Sequence, residues 1–213
     1  MSNKIENFAV KINSISNDFI DNIIVPLTRG TKYILLDEAK INYFLKFKTE
    51  YLEQKITLFI SYLQEKNKDE LINFVNNLKG KDKEFFIQSI NKVFELDNNL
   101  QLYILAYLTK MYQQNSSLNY FEKSIYYNIE QLSEDDLKIF SELMFKLKPS
   151  ENNEKAYSLI ENKLTEIENI VSIKFTNIGI IQTVNGAFGG PFISKTEYRD
   201  KLALIIKEFT DDL

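Results

Sequence analysis

The sequence predicts a mainly α protein, with a multi-helix domain over residues 1–149 and a small helix–β-hairpin–helix unit over residues 150–213. Three observations carry this. Glycine and proline, the strongest breaks in regular structure, number only six and three in 213 residues, and Gly80 is the single glycine between Gly30 and Gly179. Apolar residues over the first two thirds recur at three- and four-residue steps, the period of one helical face. Four of the six glycines then crowd between residues 179 and 190, amid β-branched residues.

The elements follow in order. Ile5, Phe8, Ala9, Ile12, Ile15, Phe19, Ile20, Ile23 and Ile24 mark a first helix, which Pro26 ends. After a turn at Thr28-Arg29-Gly30, a long helix carries Leu36, Ala39, Phe44, Leu45, Tyr51, Leu52, Ile56, Phe59, Ile60 and Leu63. Asn67 with Glu70 caps a short helix that runs through Leu78 and is closed by Gly80. Another helix is expected from Asp82 to Leu96. Asp97-Asn98 starts the next, with Leu100, Tyr103, Ile104, Tyr107, Leu108 and Met111 on one side, and Asn115-Ser116-Ser117 forms a loop. Ser133 and Asp136 match a capping box and place a helix from Glu134 to about Leu147.

The stretch Pro149-Ser150-Glu151-Asn152-Asn153 reads as a linker and sets the domain boundary. Beyond it a helix is expected over 154–169, then strands at Ser172–Thr176 and Ile180–Val184, with Asn185-Gly186 as a type I′ hairpin turn. Ser194 and Glu197 form a second capping-box match that opens a final helix with Leu202, Leu204, Ile205, Ile206 and Phe209.

Composition excludes more chemistry than it offers. The chain has no His, Cys or Trp. A Ser/His/Asp or Cys/His nucleophile system is therefore closed, as is a zinc, haem or iron–sulfur centre held by those residues. Carboxylate, Lys, Tyr and backbone groups remain. The net charge of −4 and a pI near 5.1 give no general attraction to nucleic acid or anionic lipid. No apolar run approaches the roughly 18–20 residues that span a bilayer, and no export-type apolar region follows the N-terminus. Absence of cysteine fits a reducing compartment, and the expected location is cytoplasmic.

Each chemical constellation has a structural reading beside it. Gly189-Gly190-Pro191-Phe192-Ile193-Ser194-Lys195-Thr196 lies one residue from a phosphate-cradling loop, but Pro191 removes a backbone donor and Ser194 stands where that loop has glycine. It reads as a strand end and helix cap. Asp18 with Asp21, Glu50 with Glu53, and Glu134-Asp135-Asp136 have metal-compatible spacing, yet the first two pairs read as solvated faces and the third as the acidic first turn of a helix. No metal, cofactor or catalytic residue is assigned.

Aromatics are the resource the chain does have, with 12 Tyr and 16 Phe. Tyr43, Phe47 and Tyr51 recur every four residues, beside a second apolar face on the same helix, and make the first candidate partner surface. Phe175, Phe188 and Phe192, placed on the hairpin, make the second.

A helix followed by a hairpin is also the final half of a winged-helix DNA reader. Charge opposes it, because Glu151, Glu154, Glu161, Glu166 and Glu168 outnumber Lys155 and Lys163 on the would-be recognition helix. Residues 40–83 are locally basic, but Lys and carboxylates alternate there as on a solvated helix.

The run from Ile56 to Leu143 includes Phe94-Glu95-Leu96-Asp97, Leu105-Ala106-Tyr107-Leu108 and Ser133-Glu134-Asp135-Asp136-Leu137. With Asn177-Ile178-Gly179-Ile180-Ile181 it resembles helical proteins of prophages and phage-defence loci that finish in a winged-helix-like hairpin. That resemblance implies a bacterial mobile-element or defence setting and an accessory role, and it implies no catalytic residue. The expected function is a non-enzymatic, cytoplasmic protein-interaction protein, an adaptor or inhibitor, whose partner is another protein or a further copy of the chain. The alternative is a winged-helix DNA-binding regulator.

Overall fold

The computed structural model describes residues 50–63, 77–149, 156–158, 163–186, 190–194 and 197–211. The first expected helix, the turn at Thr28–Gly30 and nearly all of the short helix from Asn67 lie outside these residues. Seven α-helices, one 3-10 turn and three short strands make up the described secondary structure, so the protein is mainly α. The chain forms two compact units, Met1–Ser117 and Leu118–Leu213.

In the first unit, α1 (Glu50–Leu63), α2 (Gly80–Val93) and α3 (Asn99–Asn115) pack together, with α3 against both others. A capping box starts α3: the Asn98 side chain accepts from the Gln101 N–H at 2.9 Å, and the Gln101 side chain accepts from the Asn98 N–H at 3.2 Å. It ends at Ser116, in the left-handed region at φ 54°. Ile56, Phe59 and Leu63 of α1 meet Phe86, Ile90 and Val93 of α2 and Ile104, Leu105 and Leu108 of α3 in a core closed to solvent. Aromatic pairs tie the three together. Phe85 stacks on Tyr112 at 3.8 Å, and Tyr62 meets Tyr103 edge-on at 5.3 Å. Two of the polar groups inside are matched across elements: Lys55 donates its ammonium to the Leu96 carbonyl, and Thr109 donates to Ser89 at 3.0 Å.

The second unit runs α4 (Tyr120–Asn128), a 3-10 turn (Ile129–Gln131), α5 (Glu134–Lys146), β1 (Ala156–Ser158), α6 (Glu166–Asn177), β2 (Thr183–Gly186), β3 (Gly190–Ser194) and α7 (Glu197–Asp211). The strands form one antiparallel sheet in the order β1-β3-β2, with Tyr157 opposite Ile193 and Val184 opposite Phe192. α5 packs against both α6 and α7. The boundary between units therefore lies at Ser117/Leu118, just beyond the end of α3, and not at 149/150. The expected split would separate α5 from the two helices on which it packs.

The C-terminal unit also departs from the expected helix–hairpin–helix. Residues 156–158, expected inside a helix, pair with β3, and residues 172–176, expected as a strand, are the last turns of α6. β-branched content in Ile173 and Thr176 fits a strand or a buried helix equally, and a capping box at Thr165 and Glu168 decides for helix. Asn185 and Gly186 are not a turn. They lie within β2, opposite Pro191 and Gly190.

Candidate interaction surface

α6 is built by its two ends. The Thr165 hydroxyl accepts from the Glu168 N–H at 3.2 Å, while the Glu168 carboxylate accepts from the Thr165 N–H at 2.7 Å. At the other end the Gly179 N–H reaches the Thr176 carbonyl and the Ile180 N–H reaches the Phe175 carbonyl, both at 2.9 Å. This is the Schellman arrangement, and it needs the positive φ of 77° that Gly179 adopts. The segment 177–181, expected to open a strand, is the stop signal of a helix.

Two ion pairs clamp α6 antiparallel to α5. Asp136, at the start of α5, accepts from Lys174 at 2.5 Å, and Lys146, at its end, donates to Glu168 at 2.7 Å. Between the clamps Phe140 stacks on Phe175 at 4.0 Å with ring planes 11° apart. Both carboxylates serve twice, since Asp136 and Glu168 are also the capping-box acids of α5 and α6.

Burial pushes the Asp136 carboxyl up, but its hydrogen bonds from Lys174 and Ser133 outweigh this and hold it below the usual carboxylate range. The Lys146 ammonium and the Thr165 N–H lower Glu168 likewise. A carboxyl lowered on folding contributes stability that is complete above its unfolded value and is lost as pH falls through the folded one. The melting temperature of the protein is expected to hold from neutral pH to about 5 and to fall below about 4. Asp136→Asn is expected to cost about 1 kcal/mol at neutral pH, a modest figure because Lys174 is partly solvated, and to flatten that acid limb in a pH series of thermal melts.

With Val171, Ser172 and Phe175 turned into the core, α6 leaves its other face to solvent. Ile167, Ile170 and Ile173 are 60%, 57% and 53% exposed, spaced three residues apart along that face. The remaining large exposed hydrophobics among the described residues are Tyr120, Tyr127, Phe145 and Leu204. All seven lie in the second unit. A groove of about 480 Å³ between α5 and α7 takes in Phe145, whose ring the Lys207 ammonium covers at 4.8 Å, with Lys138, Glu142 and Asp211 on its walls.

The surfaces expected from sequence fare differently. Phe175 is fully buried and belongs to the core, because the helix that replaces the expected strand turns it onto Phe140. Tyr43, Phe47 and Phe188 lie outside the described residues. Tyr51 and Phe192 have their backbones in α1 and β3, and their side chains lie outside the description. The isoleucine face of α6 was not anticipated. Its signal was present as Thr165-x-x-Glu168 followed by Ile at every third position, but it was hidden by splitting α6 between an expected helix and an expected strand.

Other constellations resolve into structure. Of the 134–136 acids, Glu134 pairs with Lys138 at 2.6 Å and Asp136 with Lys174. Asp18 and Asp21 lie outside the described residues, as do the side chains of Glu50 and Glu53. Among the described residues no group of three or more acids forms a metal-compatible cluster. Gly190–Ser194 is the central strand of the sheet, paired on both sides, so its backbone is committed to the ladder. No helix among the described residues is long and apolar enough to cross a membrane. Comparisons with protein families, with curated proteins and with solved structures return no match.

Proposed function

We propose that this is a non-enzymatic protein-interaction protein, an adaptor or inhibitor working in the bacterial cytoplasm through its second unit. The observation that carries the reading is the placement of every large exposed hydrophobic among the described residues in that unit, three of them on one face of α6. Contiguous exposed apolar surface of this kind is costly to leave in water and marks association sites. The absence of His and Cys supports a role outside nucleophilic and transition-metal chemistry. The setting, phage defence or a mobile element, is supported by the sequence resemblance over residues 56–143.

A DNA-binding regulator is the second reading, favoured by one feature: α6 is followed directly by the antiparallel pair β2 and β3. Charge weighs against it. The exposed side of α6 presents Glu166, Ile167, Asn169, Ile170 and Ile173, and Lys174 is the single cation on the helix. A phosphate backbone needs cations there.

The discriminating experiment is an electrophoretic shift with mixed-sequence duplex DNA at physiological salt, run beside co-purification from the native host. We expect no shift, and a co-purifying protein, either another protein or a further copy of this chain, that Ile167→Lys with Ile170→Lys releases while the melting temperature stays unchanged. A shift with steep salt dependence would replace this reading with the second.

A further inference from the structure

We infer that the exposed face of α6 is occupied by the same face of a second copy of this chain, the two helices antiparallel about a two-fold axis passing beside Ile170. This rests on the interaction reading above and names its occupant. The argument is in the order of residues along the face. Counting outward from Ile170, Ile167 and Ile173 stand three residues away on either side, and Glu166 and Lys174 stand four away. In a 3.6-residue helix all five fall within about 60° of the line through Ile170, so they share one face.

That face is nearly a palindrome in shape and an inverted one in charge. Pairing two copies antiparallel brings Ile170 against Ile170, and Ile167 to the level of the other copy's Ile173. It also brings Glu166 to the level of the other copy's Lys174, at both ends of the interface. Pairing them parallel would bring Glu166 to Glu166 and Lys174 to Lys174. Opposite charges therefore favour the antiparallel arrangement, and a two-fold axis makes such a contact closed and isologous. Lys174 can serve both carboxylates, since its ammonium has three donors and Asp136 engages it from the α5 side.

The area sets the strength. Three isoleucines slightly more than half exposed supply a few hundred Å² per copy, so about 600 Å² would leave solvent in all, short of the roughly 1,200 Å² of a stable interface. The dimer is consequently weak and concentration-dependent, in the size range of transient encounters.

The absence of cysteine gives a clean test. Two copies of residue 170 meet only if the axis lies there, so Ile170→Cys should cross-link the full-length chain to dimer under mild oxidation. Glu95→Cys, at an exposed position of the first unit, reports random collision. We expect at least tenfold faster linkage for Ile170→Cys. Sedimentation velocity of the unmodified chain should show dimer growing with concentration up to about 100 µM, and Ile170→Lys, which sets two ammonium groups on the axis, should be monomeric throughout. Glu166→Lys should weaken association at low salt and less so at high salt. Linkage at the collision rate, or a monomeric wild-type chain at every concentration, overturns the two-fold contact. If Ile167→Lys with Ile170→Lys nevertheless releases a host protein, the interaction reading survives without it, whereas loss of both findings removes the two together.

Discussion

Phe175→Ala should destabilise the second unit by about 3–5 kcal/mol, the range for truncating a fully enclosed phenylalanine. The ring has no solvent exposure, stacks on Phe140 and lies between the Asp136–Lys174 and Lys146–Glu168 clamps, so neither helix can close the space without breaking an ion pair. Measured against typical domain stabilities of roughly 5–15 kcal/mol, such a loss removes a large part of what holds the unit folded. Thermal melts or denaturant titration of the full chain read it directly. Phe140→Ala should cost a similar amount, and the double variant less than the sum, with coupling of about 0.5–1.5 kcal/mol from the stacked pair. A change within about 0.5 kcal/mol for Phe175→Ala, as an exposed position gives, would show that α6 does not turn this face inward.

Arg199 should be the most sensitive charged position. It is fully buried on α7, its guanidinium lies 4.6 Å from the centre of the Tyr157 ring on β1, and its Nε and Nη2 both donate to one oxygen of Asp200. A planar, delocalised cation suits that slot because it lies against the ring while two of its N–H groups fork onto the carboxylate, whereas the ammonium of lysine is a point charge with no such fork. Arg199→Lys should therefore cost about 3–5 kcal/mol, because a charge remains buried without its partners. Arg199→Met should cost less, since it fills similar space without a charge and leaves Asp200, 46% exposed, to be hydrated. The ranking of the two in thermal melts is the check. Lysine tolerated better than methionine would mean that the slot is wet.

The sequence alone determined the class of the protein and several of its joints. Scarce glycine and proline left long segments with nothing to stop a helix, and Asn98 and Ser133 started α3 and α5 where their capping groups stand. Local hydrogen-bonding chemistry of this kind is complete within four residues, so it is legible in the string. The same chemistry at Thr165 and at Gly179 delimits α6, but β-branched content pointed the other way and concealed it.

What only the tertiary structure decided is which side of an element faces in. The inward face of α6 is Val171, Ser172 and Phe175, and the outward face is Ile167, Ile170 and Ile173. By hydropathy the outer face is at least as apolar as the inner one, so periodicity has no preference between them. The choice is made by Phe140, Asp136 and Lys146 on α5, which offer a stacking partner and two charges to only one orientation of the helix. Those residues lie 22 to 38 positions away along the chain. The boundary at Ser117/Leu118 has the same origin, since the polar composition after Pro149 says nothing of what packs on what, and only the packing of α5 on α6 and α7 determines which segments share a core.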